Sequence, residues 1–339
     1  MNMTTIGLDL AKNVFQVHGV NQHGKIMVRK SLPRAKVAEF FAQLTPCVVG
    51  MEACASAHYW GRTLEKFGHT VRLMAGQFVK PYRKNDKNDA NDAEAICEAV
   101  NRPNMRFVPV KSVEQQSALM IHRIRSLAVS ERTALVNQMR GLFGEFGVVL
   151  QPSLTRFRRG ISAILEDAEN GIPMPARHLF ADLYGRFQQL DAKINEYDQQ
   201  IERMAVQSEA AQRLRKLGGV GAKIATAVIA SVGDAKLFKN GRQFVAWLGL
   251  VPRQHSSGGK ARLGHISKRG DAYLRTLLIH GARAVLRVAD KRKDPQTLWA
   301  VQVRERRGNN IAAVALAAKI ARTIWAMLSK GTEYRAAAI

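Results

Sequence analysis

Cysteine is scarce in this chain, with only three among 339 residues, at positions 47, 54 and 97. The three show no paired spacing of a metal-binding motif, and no cluster of histidine and cysteine indicates zinc. So few thiols are typical of a reducing compartment, where disulfides are rare. The composition therefore excludes a disulfide-stapled secreted domain and a zinc-finger protein.

Long apolar runs and the familiar glycine-rich phosphate loops are also missing. No uninterrupted apolar stretch approaches the length that spans a membrane, and the N-terminus lacks a signal-peptide pattern. We therefore expect a cytoplasmic protein with no membrane partner. A dinucleotide-binding GxGxxG loop is excluded as well, because Ile224 occupies the position of the third glycine.

Acidic residues are few relative to basic ones. The chain has 52 Lys and Arg against 27 Asp and Glu, a net charge of +25, which predicts a polyanionic partner and most simply nucleic acid. Residues 206–339 hold 25 of the basic and 7 of the acidic residues, and no acid lies between Asp234 and Asp271. We expect phosphate contacts from the basic residues of that segment, above all Arg253, Lys260, Arg262, Lys268 and Arg269.

The acids that are present fall at informative places. Asp9 and Glu52 each end a strand-like run, and Asp89 and Asp92 open an apolar helical stretch three residues apart. Strand ends and one face of a helix can converge on a single point. Carboxylates bind hard divalent cations, and phosphodiester chemistry commonly uses two such ions. The four acids therefore predict a site for nucleic-acid cleavage.

Residues 1–108 have the pattern of an α/β domain. Three strand-like runs come first, followed by a helix, a strand, a second helix, another strand and the acidic helix from about Asp89. The order matches the ribonuclease H-like arrangement, with Asp9 on the first strand and Glu52 closing the fourth. The predicted strands are Thr5–Leu8, Val14–Val20, Lys25–Arg29, Cys47–Glu52 and Thr70–Met74.

The rest of the chain is predicted to be helical, in two further domains. Residues 109–205 are nearly neutral, and apolar residues recur there at helical spacing, as in long helices that pair in coiled coils. A spacer and a dimerisation element are both consistent with this pattern. Residues 206–339 would form a mostly α domain, so the predicted fold class is α/β plus α.

Two segments of this last domain are candidates for phosphate chemistry. Leu217–Lys223 resembles the turn of a helix-hairpin-helix, in which Gly219 and Gly221 would let backbone N–H groups face a phosphate beside Lys223. A simple tight turn is the alternative. Further on, two adjacent serines, 256 and 257, lie in a glycine-rich basic loop that could activate a hydroxyl. From the residues alone, a phosphate-binding loop without serine chemistry is favoured.

Together these segments resemble the DEDD-type transposases of bacterial insertion sequences, in which a RuvC-like domain is joined through helices to a second domain holding a serine. The resemblance covers essentially the whole chain. It is carried by Gly7–Lys12, Met51–Ala53, Lys87–Ala93, the Gly-Val-Gly turn, and Gly249–Pro252 leading to Ser257-Gly258. It implies Asp9, Glu52, Asp89 and Asp92 as the metal-binding catalytic acids and Ser257 as the nucleophile. Asp86 is an extra acid near the third position, and Ser256 adjoins the serine.

The same resemblance implies RNA-guided DNA recombination. A guide (bridge) RNA encoded by the element would pair with donor and target DNA, while the protein reads backbone and duplex shape. Ser257 would form a phosphoserine link to DNA, with Mg²⁺ (or Mn²⁺) at the acids stabilising the transition state. A homo-oligomer, either a dimer or a tetramer, would bring the acids and the serine together. The expected location is the bacterial cytoplasm, in association with the nucleoid.

Two other functions are consistent with the residues. A hydrolytic junction-resolving nuclease would use the four acids and water, and would leave Ser257 without a chemical role. A non-enzymatic nucleic-acid-binding protein would need only the basic segment near Lys260, with the acids as ordinary surface charges.

Overall fold

The computed structural model describes residues 3–84, 88–260 and 262–334, and the chain divides into two compact units, residues 1–116 and 117–339. The boundaries of the three expected domains stay a prediction. A long helix, α5, begins in the first unit and continues into the second.

The first unit is a mixed α/β sheet covered by helices. The chain order of its elements is β1 (Thr5–Asp9), β2 (Val14–Val20), β3 (Ile26–Pro33), α1 (Arg34–Ala42), β4 (Val48–Glu52), α2 (Ala57–Lys66), β5 (Thr70–Met74), α3 (Gly76–Val79), a 3₁₀ turn (Lys80–Tyr82), α4 (Asp89–Val100) and β6 (Phe107–Val108). The sheet order is β3-β2-β1-β4-β5-β6. The first three strands are antiparallel neighbours, and β4 and β5 extend the sheet in parallel with β1.

This order confirms the predicted alternation of strands and helices, with additions that the sequence did not indicate. The short helix α3, the 3₁₀ turn after it and the two-residue edge strand β6 were not expected. Strands β1 and β4 are almost entirely buried because helices cover the sheet, and such strands read as continuous apolar runs.

Helix α4 lies directly on the middle of the sheet. A Cβ added at Gly7 of β1 would overlap the Ala93 carbonyl of α4, and one at Gly50 of β4 would come within 2.9 Å of the Val100 side chain. Further along, the Thr5 hydroxyl donates to the Asn101 side chain at 3.3 Å. The helix therefore runs back along β1, and its N-terminus lies at the end of the strand where Asp9 is found.

The second unit is mostly helical. Its elements are the rest of α5 (Val113–Gly144), α6 (Leu154–Glu166), α7 (Met174–Gln207), α8 (Glu209–Arg215), α9 (Ala222–Val232), a 3₁₀ turn (Ala235–Leu237), α10 (Gly241–Trp247), β7 (Pro252–Gln254), β8 (Leu263–Ile266), α11 (Ala272–Arg287), a 3₁₀ turn (Ala289–Lys291), α12 (Pro295–Arg307) and α13 (Asn309–Lys330). One apolar cluster joins α5, α6 and α7, and a larger one joins α8 to α13. The expected mixed α/β start followed by mostly α structure is thus observed.

Helix α13 is long and apolar enough to cross a membrane by length and composition alone. Lys319 and Arg322 interrupt the apolar run of this helix, so its sequence does not stand out as a membrane span. Core helices pass the same test, so a single such helix is weak evidence. Its residues Leu316 and Ile320 are fully buried in the larger cluster of the second unit.

Candidate active site

The two strand-end acids are neighbours in the sheet. Strands β1 and β4 pair in parallel with Leu8 opposite Met51, so Asp9 and Glu52 leave the same end of adjacent strands. Both side chains are half-buried there. A Cβ at Gly76 would lie 2.9 Å from Glu52 Oε2, so the start of α3 closely backs that carboxylate.

The other two acids belong to the first turn of α4. Asn88 caps the helix by accepting a hydrogen bond from the Asn91 N–H at 2.8 Å. Asp89 and Asp92 follow on one face of that turn, where the helix dipole stabilises negative charge. Because α4 lies over β1, its acidic turn faces the strand ends. All four acids line one cavity of about 380 Å³. Asp86 lies outside the described residues.

The cavity concentrates negative charge with partial compensation. Burial, and then repulsion from the carboxylates of Asp92, Asp89 and Glu52, raises the pKa of Asp9 to about 6. Arg83 offsets part of this charge through Nη1, which donates to Asp92 Oδ1 at 3.3 Å, and Lys80 also lines the cavity. Neither cation was identified from the sequence, because nothing in the spacing of isolated basic residues marks them.

A hard divalent cation fits this cavity by the chemistry of its donors, since four carboxylates compete for one space and repel each other without it. Across the part of the chain that the structure describes, no group of three or more His, Cys, Asp or Glu side chains stands ready to hold a metal ion. The residues that would hold the cation are the four acids that line the cavity.

The two serines differ in their hydrogen bonding. They lie at the tip of the hairpin formed by β7 and β8 in the second unit, and both are exposed. The Ser256 hydroxyl oxygen accepts from the Gln254 side-chain amide at 2.8 Å and from the Arg262 N–H at 3.2 Å. The Ser257 hydroxyl has no hydrogen bond to any described residue, and its backbone opens the turn that Gly258 and Gly259 form with positive φ.

The basic residues expected to contact phosphate are spread along this hairpin, from Lys260 at the tip to Lys268 and Arg269 at its base. All five are exposed, and among the described residues none of them forms an ion pair: Arg253, Lys260, Arg262, Lys268 and Arg269. A cation that is exposed and unpaired is available to an anion in solution. The hairpin therefore presents an exposed hydroxyl at its tip and exposed cations along its length.

The Gly-Val-Gly turn joins α8 to α9, as a helix-hairpin-helix would. Gly219 has φ of +85°, and a Cβ there would lie 2.9 Å from the Gly281 carbonyl of α11. Lys223 Nζ donates to Asp198 Oδ2 at 2.9 Å. Close helix packing thus accounts for Gly219 and an internal ion pair for Lys223, whereas a Cβ at Gly221 would meet nothing within 4 Å. Contact of these three residues with nucleic acid stays a prediction. A larger cavity of about 800 Å³ borders the turn.

The comparisons with known proteins agree on one family. Residues 6–147 match the DEDD transposases of the IS110 type, and residues 211–296 match the transposase IS116/IS110/IS902 family. A probable family 20 transposase of Pseudomonas aeruginosa is 55% identical over 339 residues, covering 99% of both chains. The transposase for insertion sequence element IS1111A of Coxiella burnetii is 43% identical over 98% of this chain and 92% of its own length. The transposase for insertion sequence element IS1328 of Yersinia enterocolitica is 38% identical over 98% of this chain and 99% of its own length.

The chain combines an α/β unit that has an acid-lined cavity with a basic helical unit, and transposases match it over nearly its whole length. These features define a DNA transposase. The expected resemblance is confirmed. The chain belongs to the IS116/IS110/IS902 family and is a DEDD-type insertion-sequence transposase. A domain of this type indicates the use of a divalent metal.

Proposed function

We propose that this transposase exchanges DNA strands by serine chemistry supported by metal-bound carboxylates, under the direction of a guide RNA. The observation that carries the proposal is the pairing of two features: a cavity lined by four acids, and an exposed Ser257 hydroxyl that has no hydrogen bond to a described residue, on a hairpin with exposed cations. The ribonuclease H-like identity of the first unit is part of the proposal, supported by acids on β1 and β4 of its sheet.

The four acids are the proposed holders of the cation. Asp9, Glu52 and Asp92, with Asp89 beside them, offer the oxygen ligands that Mg²⁺ or Mn²⁺ takes. When bound, such a cation supplies stabilisation of the charge that develops on the phosphate oxygens. Arg83 orients the acidic turn through its bond to Asp92, and Arg83 and Lys80 at the same cavity attract the DNA backbone.

The chemical step is an exchange of phosphate esters. The Ser257 oxygen attacks a DNA phosphorus, a phosphoserine ester forms, and the bond from phosphorus to one deoxyribose oxygen breaks. The proton lost by the serine ends on that oxygen. A deoxyribose hydroxyl of another strand then attacks the phosphoserine, which restores the serine and joins the strands. The neighbouring cations, Arg253 and Lys260 among them, offset the charge on the phosphoryl group.

Ser257 is the better candidate of the two serines. The Ser256 oxygen already accepts two N–H donors that shape the tip, whereas the Ser257 hydroxyl has no such task among the described residues. The five basic residues along the hairpin, together with Gly219, Gly221 and Lys223 at the glycine turn, are the proposed contacts to nucleic acid.

The acids and the serine belong to different units of the chain, and we propose that a homo-oligomer unites them. An exposed apolar stripe on α5 supports this: Met120, Ile124 and Leu127 recur at helical spacing, and Met120 and Leu127 are 56% and 60% exposed. A second copy of such a helix would bury them.

One purification tests the RNA part of this proposal. The protein is isolated from cells that carry its gene with the native flanking DNA, and the bound RNA is sequenced. One abundant RNA encoded beside the gene is the expected result. Bulk cellular RNA alone, under salt that preserves complexes, would favour an unguided enzyme.

A hydrolytic junction-type endonuclease is the second candidate, because the acid cavity alone would suffice for it. It differs in one outcome. If the enzyme is hydrolytic, Ser257→Ala would cut DNA as fast as the wild type. Neither the wild type nor the variant would form a protein–DNA adduct.

A further inference from the structure

The serine hairpin leaves and rejoins the second unit through a tight crossing, which we call the hairpin root, residues 247–251 and 267–270. The two ends are hydrogen-bonded to each other: the Ser267 N–H donates to the Val251 carbonyl at 2.7 Å, and the Lys268 N–H donates to the Gly249 carbonyl at 3.1 Å. The direction in which the tip points is therefore decided at the root.

The crossing leaves no room for a side chain at either of its two glycines. Gly249 and Gly270 have φ of +71° and +85°, and a Cβ at either would overlap a backbone carbonyl of the other end, that of Arg269 or that of Trp247. Lys268 also has a positive φ, +54°, which residues other than glycine rarely adopt. Such a conformation persists only where the surroundings over-determine it.

One side chain ties both ends of the root together. Arg275, half-buried in the first turn of α11, donates through Nη1 to the Leu248 carbonyl at 3.1 Å and to the Arg269 carbonyl at 3.4 Å. Leu248 ends α10, so its carbonyl lacks a partner within the helix and favours a cation. The helix that carries Arg275 is itself fixed by Asp271, which accepts from the Leu274 N–H at 3.0 Å.

We propose that Arg275 is a positioning residue for strand cleavage: it holds the hairpin root closed and so aims Ser257. The inference rests on the proposed serine chemistry. A nucleophile displaced by about 1 Å loses on the order of a hundredfold in rate, so a clamp distant from the reacting atoms is expected to matter.

The test uses the full-length protein with its co-purifying RNA, and a supercoiled plasmid carrying the joined element ends with their native flanks as the DNA probe. Arg275→Ala and Arg275→Lys are compared with Arg287→Ala, which removes the same charge from an exposed position of α11. Three quantities are measured: hydrogen exchange of residues 249–270 without DNA, DNA affinity, and the rate of protein–DNA adduct formation.

We expect Arg275→Ala to speed exchange at the root amides and to slow adduct formation by about 10- to 100-fold, while DNA affinity changes by less than about threefold. Arg275→Lys, which keeps a donor near the carbonyls, should recover part of the rate. Arg287→Ala should behave as the wild type in all three measurements.

Two results would overturn the inference. A wild-type adduct rate in Arg275→Ala would show that the clamp is not needed, and weaker DNA binding with unchanged exchange would make Arg275 a phosphate contact. The variant Ser257→Ala distinguishes failure of the Arg275 inference from failure of the proposed function. If that variant still joins strands, the serine chemistry fails, whereas the exchange data continue to report whether Arg275 closes the root.

Discussion

At the scale of single residues, neighbouring side chains of the same type have different tasks. Ser256 and Ser257 are adjacent and exposed, yet among the described residues of the hairpin the Ser256 oxygen accepts two hydrogen bonds and the Ser257 oxygen accepts none. Sequence alone left their roles open, because a serine's hydrogen bonds depend on the fold of its loop and not on its neighbours in the chain.

The difference between the serines predicts different losses. Ser257→Ala should abolish the protein–DNA adduct, since the attacking oxygen is gone. Ser256→Ala loses two hydrogen bonds worth about 1 kcal/mol each, so the adduct should form up to about thirtyfold more slowly. Gel detection of labelled DNA on denatured protein measures both, with Ser153→Ala, an exposed serine before α6 whose hydroxyl does not cap the helix, as the matched loss of a hydroxyl. An adduct in Ser257→Ala that is missing in Ser256→Ala would reverse the assignment.

A buried histidine makes the stability of the second unit depend on pH. The Thr226 hydroxyl donates to the Ala222 carbonyl, so it accepts from Nε2–H of His122, and His122 Nδ1 accepts from the Tyr273 hydroxyl, both at 2.9 Å. Burial, followed by the nearby cations Arg125 and Lys223, lowers the pKa of His122 to about 4, with Asp198 opposing them.

Because this pKa lies below the ordinary 6.5, the unfolded chain binds the proton first as pH falls. The stability from neutral His122 is present above pH 6.5 and lost between 6.5 and about 4, up to about 3 kcal/mol. We would measure urea unfolding at pH 7.5 and 5 by the fluorescence of Trp247, Trp299 and Trp325. Between these pH values, His122→Gln should lose less free energy of unfolding than the wild type. The exposed His178→Gln serves as control, and equal losses in all three proteins would contradict the assignment.

At the scale of elements, contact between α4 and the sheet determines whether the acids meet. Gly7 lies where the Ala93 carbonyl and the Cys97 backbone approach β1. The sequence predicted strand and helix separately. It did not show that they touch at this glycine, because that contact joins residues almost ninety positions apart.

Gly7→Ala should therefore push α4 away and separate Asp89 and Asp92 from Asp9. Overpacking of this kind costs about 1–3 kcal/mol or more, and we expect loss of strand cleavage together with lower stability of the first unit. Gly160→Ala in α6 is the matched control, because a Cβ there meets nothing within 4 Å and should stabilise by about 0.5–1 kcal/mol. Wild-type cleavage by Gly7→Ala would exclude this account of how the acids are aligned.

At the scale of the whole molecule, the charge of +25 is concentrated in the last third, and its exposed hairpin cations are unpaired among the described residues. DNA affinity should fall steeply with salt, because each phosphate contact releases counterions. Lys260→Ala and Arg262→Ala should each flatten the slope of log affinity against log salt by about 1. Lys193→Ala, whose ammonium pairs with Glu196, should leave the slope unchanged. Equal slopes in all variants would remove the hairpin from the DNA interface.

The sequence by itself determined the alternation of strands and helices, the positions of the acids within them, and the basic last third, because periodicity and charge are local properties of the chain. Only the tertiary structure brought Asp9, Glu52, Asp89 and Asp92 around one cavity, tied Lys223 to Asp198, distinguished Ser256 from Ser257, and set Arg275 across the hairpin root. Those features depend on close approach between segments far apart in sequence, and neither a side chain's type nor its spacing records which distant backbone it will meet.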